Sequence, residues 1–152
     1  MAGANDRARK LFAGVLKVHR KFARARLGLA FVNATEHRNE EAIKEIEAAI
    51  AISDDAYFHT MEAAIYGFVG SKDKAREILR NILSGKYKAY ASPGDIGAVY
   101  YLLGDRDEGY EWVKKAYEEH DAALPFSNKW PILAPMRTDP KFVELLDRMK
   151  LS

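Results

Sequence analysis

Residues 92–119 read SPGDIGAVYYLLGDRDEGYEWVKKAYEE, and this stretch decides the fold. It divides at Gly104-Asp105 into two segments whose apolar residues recur with helical spacing. Ser92-Pro93-Gly94-Asp95 is a helix start. The serine can cap free amides, proline suits the first turn, and the Asp95 carboxylate can close a capping box. A weaker copy lies upstream: Tyr66, Gly70 and Ala75 precede Tyr100, Gly104 and Gly109 by 34 residues each. A fixed period at three landmarks marks an array of helical repeats.

Working outward, Asp55–Val69 is almost wholly apolar or small, which predicts a helix covered on more than one side. Gly70-Ser71-Lys72 turns the chain, and Asp73–Leu83 is amphipathic again through Ala75, Ile78, Leu79, Ile82 and Leu83. Ser53-Asp54-Asp55 offers caps for the helix that follows it. Before these, a helix from about Glu40 presents Ala42, Ile43, Ile46, Ala49 and Ile50 on one face. From Asn5 to Ala34 an apolar seam runs through Leu11, Val15, Val18, Phe22, Ala25, Leu29 and Val32. This is either one long helix or two that meet with little break, and Gly28 can allow a close helix contact. Downstream, Asp121–Pro135 holds Pro125, Pro131, Pro135 and Trp130, which predicts an extended return with at most one short helix. Thr138-Asp139-Pro140 then starts a last helix, with Phe142, Val143, Leu145, Leu146 and Met149 on its apolar face, as an open array needs to cover its final repeat.

The 152 residues suffice for one compact domain or a short solenoid, and 48% are apolar. No cysteine is present, so disulfides, thiolate metal sites and cysteine nucleophiles are excluded, and a reducing, cytoplasmic setting is expected. No apolar run reaches the length of a membrane span, and no signal peptide is read at the N-terminus. Net charge is +2, but residues 1–35 hold eight Lys or Arg against Asp6 alone, a local +7 that leaves −5 for the rest. Lys10, Lys17, Lys21 and Arg24 form the expected basic face.

With these residues in view, the chain resembles the tetratricopeptide repeat family. Ile96, Gly97, Tyr100, Gly104-Asp105, Gly109, Val113 and Ala116 carry the likeness in the third unit, and Ala63, Tyr66, Gly70, Ala75, Leu79 and Ile82 carry it in the middle one. The first unit supplies Leu29, Ala30, Ala42, Ile46 and Ala49, with Asn33 where the aromatic is expected and no Gly-Asp turn. Glu62 stands at an otherwise apolar position. The tail from Pro125 is similar to the end of repeat modules in bacterial and archaeal signalling and transcription-regulator proteins, so the chain is either free-standing or one piece of a larger protein. The resemblance implies an all-α fold: a right-handed array of about three helical hairpins, a proline-rich return and a capping helix. It would form a single domain over residues 1–152, with a basic amphipathic helix at 1–22, repeats at 23–121, and the return and cap at 122–152.

The resemblance also implies a concave groove lined by the first helix of each unit. Its candidates here are Arg24, Leu27, Phe31, Tyr57, Thr60, Ala64, Phe68, Ala98 and Tyr101. Relatives that grip a C-terminal carboxylate use Lys, Asn and Arg at places that here read Leu27, Phe31, Met61, Ala91 and Asp95, so that function does not carry over. The groove is apolar and aromatic, suited to an amphipathic helix or apolar peptide, unless the chain's own N-terminal helix occupies it.

The four histidines, His19, His37, His59 and His120, are far apart, and His59 reads as a hydrogen-bonded core residue, so no metal is expected. No phosphate-binding glycine loop, nucleophile elbow or paired catalytic carboxylates occur. The expected function is therefore a non-catalytic protein–protein interaction scaffold without cofactor or small-molecule substrate. Its partner is a protein or peptide, or a second copy of itself, rather than nucleic acid or an anionic membrane. Two alternatives are an accessory or sensory module of a signalling or transcription system, and a structural protein self-associating through Leu11, Val15, Phe22 and Leu29.

Overall fold

The computed structural model describes residues 2–127 and 129–150. They form α-helices and one 3-10 turn, with no strand among the described residues. Two compact units result, Met1–Ala89 and Tyr90–Ser152.

The first unit holds α1 (Ala2–Val18), α2 (Ala23–Thr35), α3 (Asn39–Ile50), α4 (Ala56–Phe68) and α5 (Lys72–Leu83). The pairs α2/α3 and α4/α5 pack as antiparallel hairpins, as the repeat period predicts. Ala30, Ala34, Ala42, Ile46 and Ala49 are buried where α2 meets α3, and the alanines let the two backbones approach. Ala63 and Ala75 are likewise buried between α4 and α5. Gly70 closes the second hairpin at φ 93°, a left-handed conformation that glycine adopts without penalty. The first hairpin, lacking that glycine, turns instead with His37 at φ 59°.

The long N-terminal segment is a hairpin, not a rod. The chain leaves α1 at His19–Lys21 and enters α2 through Phe22 in extended conformation, without a side-chain cap. Tertiary contacts enforce this break. The Phe12 ring fills the space a Gly28 side chain would take, with ring carbons 2.3–2.6 Å from the position of a Cβ. Arg9 donates from Nη1 to Asn33 Oδ1 at 2.7 Å and pairs with Glu36 through Nη2. The seam expected on residues 11–32 is therefore corrected. Leu11 and Val18 are 64% and 76% exposed, whereas Phe12, Val15 and Leu16 are half-buried on the side of α1 that meets α2.

The second unit holds α6 (Pro93–Leu103), α7 (Arg106–Glu118), α8 (Leu124–Ser127), a 3-10 turn (Pro131–Leu133), α9 (Ala134–Arg137) and α10 (Pro140–Arg148). Gly97 and Gly109 face each other across α6/α7. A Cβ on Gly97 would lie 2.8 Å from Val113 Cγ2, and one on Gly109 would lie 2.8 Å from the Tyr101 ring. The return carries two short helices and a 3-10 turn rather than at most one helix, because its prolines fall at first-turn positions where the missing N–H is harmless. α10 starts at Pro140, with Asp139 accepting from the Lys141 amide at 3.0 Å. Phe142, Leu145 and Leu146 are buried, while Val143 lies off that face at the surface. The Tyr101 hydroxyl donates to Asp139 Oδ2 at 2.6 Å, tying α6 to the start of α10.

Ser92 caps α6 as expected, its Oγ accepting from the Asp95 amide at 3.2 Å. The second cap is not Asp95. Asp121, 27 residues from Gly94, accepts from the Gly94 amide at 2.9 Å and from the Ser92 hydroxyl at 2.5 Å. The Asp95 carboxyl is instead pushed up to about 6 by burial and by the neighbouring Asp121 charge.

Candidate functional site

In the first unit two helices present matching stripes. Arg24, Leu27 and Phe31 recur at three- and four-residue spacing on α2, and Tyr57, Thr60, Ala64 and Phe68 do so on α4, with the two helices in contact. Leu27, Thr60 and Ala64 are buried, and the Thr60 hydroxyl donates to the Ala56 carbonyl at 2.6 Å. Phe31, Tyr57 and Phe68 are half-buried around them, and Arg24 is exposed. The Arg24 guanidinium stands 5.1 Å from the centroid of the Tyr57 ring, a cation–π distance. Tyr57 also meets Phe58 edge-on at 5.2 Å.

Ala98 and Tyr101 belong to the second unit, where both are buried. Tyr101 is held by Asp139 and packs at 6.2 Å from Phe142, so its side chain is engaged in the core. Burial, then the Asp139 hydrogen bond, push its phenol well above the usual range.

The contacts of α1 with α2 fall at Gly28, Asn33, Thr35 and Glu36 rather than at Leu27 and Phe31, and Asn5 donates to Thr35 Oγ1 at 3.4 Å. Lys10, Lys17 and Lys21 are exposed, but the chain turns between Lys17 and Arg24, so the four expected cations do not share one helix face. Of the residues expected to join two copies, Leu29 is buried, Val15 is half-buried, and Leu11 and Phe22 are exposed.

His59 sits in a polar network as expected. Its Nδ1 lies 2.8 Å from Glu62 Oε2, its Nε2 lies 2.7 Å from Asp54 Oδ1, and its ring stacks on Tyr87 at 3.6 Å. Glu62, out of place in the repeat pattern, is thus one of its partners. The spacing of three residues on one helix was the available signal. Among the described residues no group of three or more His, Asp or Glu could hold a metal ion, and no helix is long and apolar enough to cross a membrane. One residue that pattern reading passed over is Arg26. It shares a face of α2 with Asn33, and its Nη1 pairs with Glu45 Oε2 of α3 at 2.9 Å.

Residues 1–65 match the family model of the tetratricopeptide repeat. No curated protein and no solved structure matches the chain. The match begins with α1, which the resemblance read from the sequence leaves outside the repeats, and ends within α4. α1 packs on α2, and the match takes it in together with the helices that follow. Tetratricopeptide repeats are typically non-catalytic, and the match over residues 1–65 implies protein–protein interaction.

Proposed function

We propose that the chain is a non-catalytic interaction module whose α2–α4 face receives an amphipathic helix or apolar peptide from a protein partner. The observation that carries this reading is the cluster of half-buried Phe31, Tyr57 and Phe68 over packed Leu27 and Ala64, with exposed Arg24 at its edge. Aromatic side chains already held by neighbours lose little freedom on binding, and they bury large apolar areas. Arg24 supplies an orienting cation for an acidic residue flanking the apolar face of the bound segment.

The test is capture of partners from native extract by the wild-type chain and by Tyr57→Ser/Phe68→Ser. Loss of a specific partner by the variant, with helicity and unfolding midpoint retained, supports the α2–α4 face. Undiminished capture by a folded variant rejects it. Where the double variant fails to fold, Arg24→Glu provides the same comparison at an exposed position.

A further inference from the structure

We infer that a cleft between α1 and α2, away from the Leu27–Phe31 stripe, binds a carboxylate-bearing amphipathic segment of a protein partner. The cleft is a shallow, open depression of about 460 Å³; Ala13, Leu16 and Leu29 line it as apolar residues, and Lys17, Arg20 and Arg26 as cations. Three features give it the chemistry of a binding site.

Two of the three cations have no counter-charge in an ion pair among the described residues. Lys17 and Arg20 are exposed and make no ion pair among the described residues. Arg26 pairs with Glu45, so the local balance is three positive charges against one negative. Lys17 also lies in the last turn of α1, where a cation complements the helix dipole, but that accounts for one charge and not for three. The second feature is a buried donor. Arg26 Nε is buried and has no hydrogen-bond partner, which leaves the guanidinium with unused capacity at the cleft wall. The side chain as a whole is 32% exposed and lines the cleft, so an entering carboxylate can pair with the accessible part of the guanidinium. The third is the apolar lining. Leu16, Leu29 and Ala13 sit among the cations, so a ligand gains most when it carries an aliphatic group next to its anion.

This combination selects among anionic partners. No aromatic residue lines the cleft, so there is no platform on which a base would stack. A phosphodiester chain offers no aliphatic group for the leucines, and the Glu45 carboxylate at the edge disfavours a dense polyanion more than a single carboxylate. An acidic amphipathic helix, with leucine and glutamate on neighbouring positions, meets both parts of the cleft. The site is separate from the α2–α4 face and needs none of its residues.

The experiment uses the full chain and a fluorescein-labelled peptide built of leucine and glutamate in helical register, read by anisotropy. Lys17→Glu/Arg20→Glu should weaken binding at least about tenfold, roughly 1.4 kcal/mol, while Lys114→Glu on exposed α7 changes it less than about twofold. A poly-glutamate peptide without leucine should bind at least about tenfold more weakly than the amphipathic one. Tyr57→Ser/Phe68→Ser should leave this binding unchanged, which separates the cleft from the α2–α4 face. The inference is overturned by binding that survives Lys17→Glu/Arg20→Glu, by equal loss in Lys114→Glu, or by equal affinity for poly-glutamate. Tighter binding of phosphatidylserine vesicles or a single-stranded oligonucleotide, lost in the same double variant, overturns it as well. Both substituted residues are exposed, so circular dichroism should report an intact fold.

Discussion

Single side chains account for the places where this chain departs from a regular repeat. Asn33 occupies the position of a large aromatic because Arg9 needs a buried acceptor there, and Asn33 is 4% exposed with that hydrogen bond made. Asp139 is 6% exposed and has two duties, capping α10 and accepting from Tyr101. Tyr101→Phe removes one donor from a buried carboxylate, and urea unfolding should show a loss of about 1–3 kcal/mol. A loss below a few tenths would mean that the carboxylate finds another donor. His37 holds φ 59°, which costs a β-carbon-bearing residue free energy that glycine does not incur. His37→Gly should therefore raise stability by up to about 1 kcal/mol, less what glycine gains in the unfolded chain. A clear destabilisation would show that the imidazole contributes more than the backbone strain removes.

Among the elements, α1 depends most on one contact. Phe12 fits against the bare backbone of Gly28, so a methyl group there must displace the ring or the helix. Gly28→Ala should destabilise by about 1–3 kcal/mol despite the better helix propensity of alanine. Phe12→Leu in the same chain should recover part of that loss, and a double-mutant cycle reads the coupling. Strict additivity of the two changes would refute the proposed fit. α6 shows the same dependence on a distant partner, since its N-terminal amides are satisfied by Asp121 as well as by Ser92. Asp121→Ala should cost about 1–2 kcal/mol, whereas a cap confined to Ser92 would make it nearly neutral.

For the molecule as a whole, pH dependence of stability follows from groups whose folded-state pKa values are raised, Asp95 and Tyr66 among them. Asp95 moves from 3.8 to about 6, through burial and then the Asp121 charge. The folded chain then binds a proton more tightly than the unfolded one, so this contribution is favourable below 3.8 and is lost as pH rises to about 6. The corresponding penalty at neutral pH is at most about 3 kcal/mol, and Asp95→Asn should remove it. Equal unfolding midpoints for Asp95→Asn and wild type across this range would contradict the assignment. Tyr66 is raised from 10.0 to about 12, first by burial and then by Glu47, whose Oε1 accepts its hydroxyl at 3.3 Å. Stability should fall again across that alkaline interval, less steeply in Tyr66→Phe.

Much of the architecture was legible in the sequence. The 34-residue spacing of Tyr66, Gly70 and Ala75 against Tyr100, Gly104 and Gly109, read with the capping residues, placed α4 to α7 within a residue or two of their observed ends. These signals are local: period, turn and cap each lie within one hairpin. The break between α1 and α2 carried no such signal, because no proline, glycine or cap stands at His19–Phe22. It is decided by Phe12 on Gly28 and Arg9 on Asn33 and Glu36, contacts between residues 16 to 27 positions apart. The candidate surface divides the same way. The family resemblance put Arg24, Phe31, Tyr57 and Phe68 among the groove residues, but only packing showed that Leu27, Thr60, Ala64, Ala98 and Tyr101 are buried. The cluster of Lys17, Arg20 and Arg26 around one cleft was likewise invisible to spacing, because α1, the turn after it and α2 each supply one cation. The sequence by itself determined an all-α repeat fold, since each helical hairpin is specified within its own span. The tertiary structure decided which side chains face solvent and which charges meet, because both depend on how separately specified helices pack.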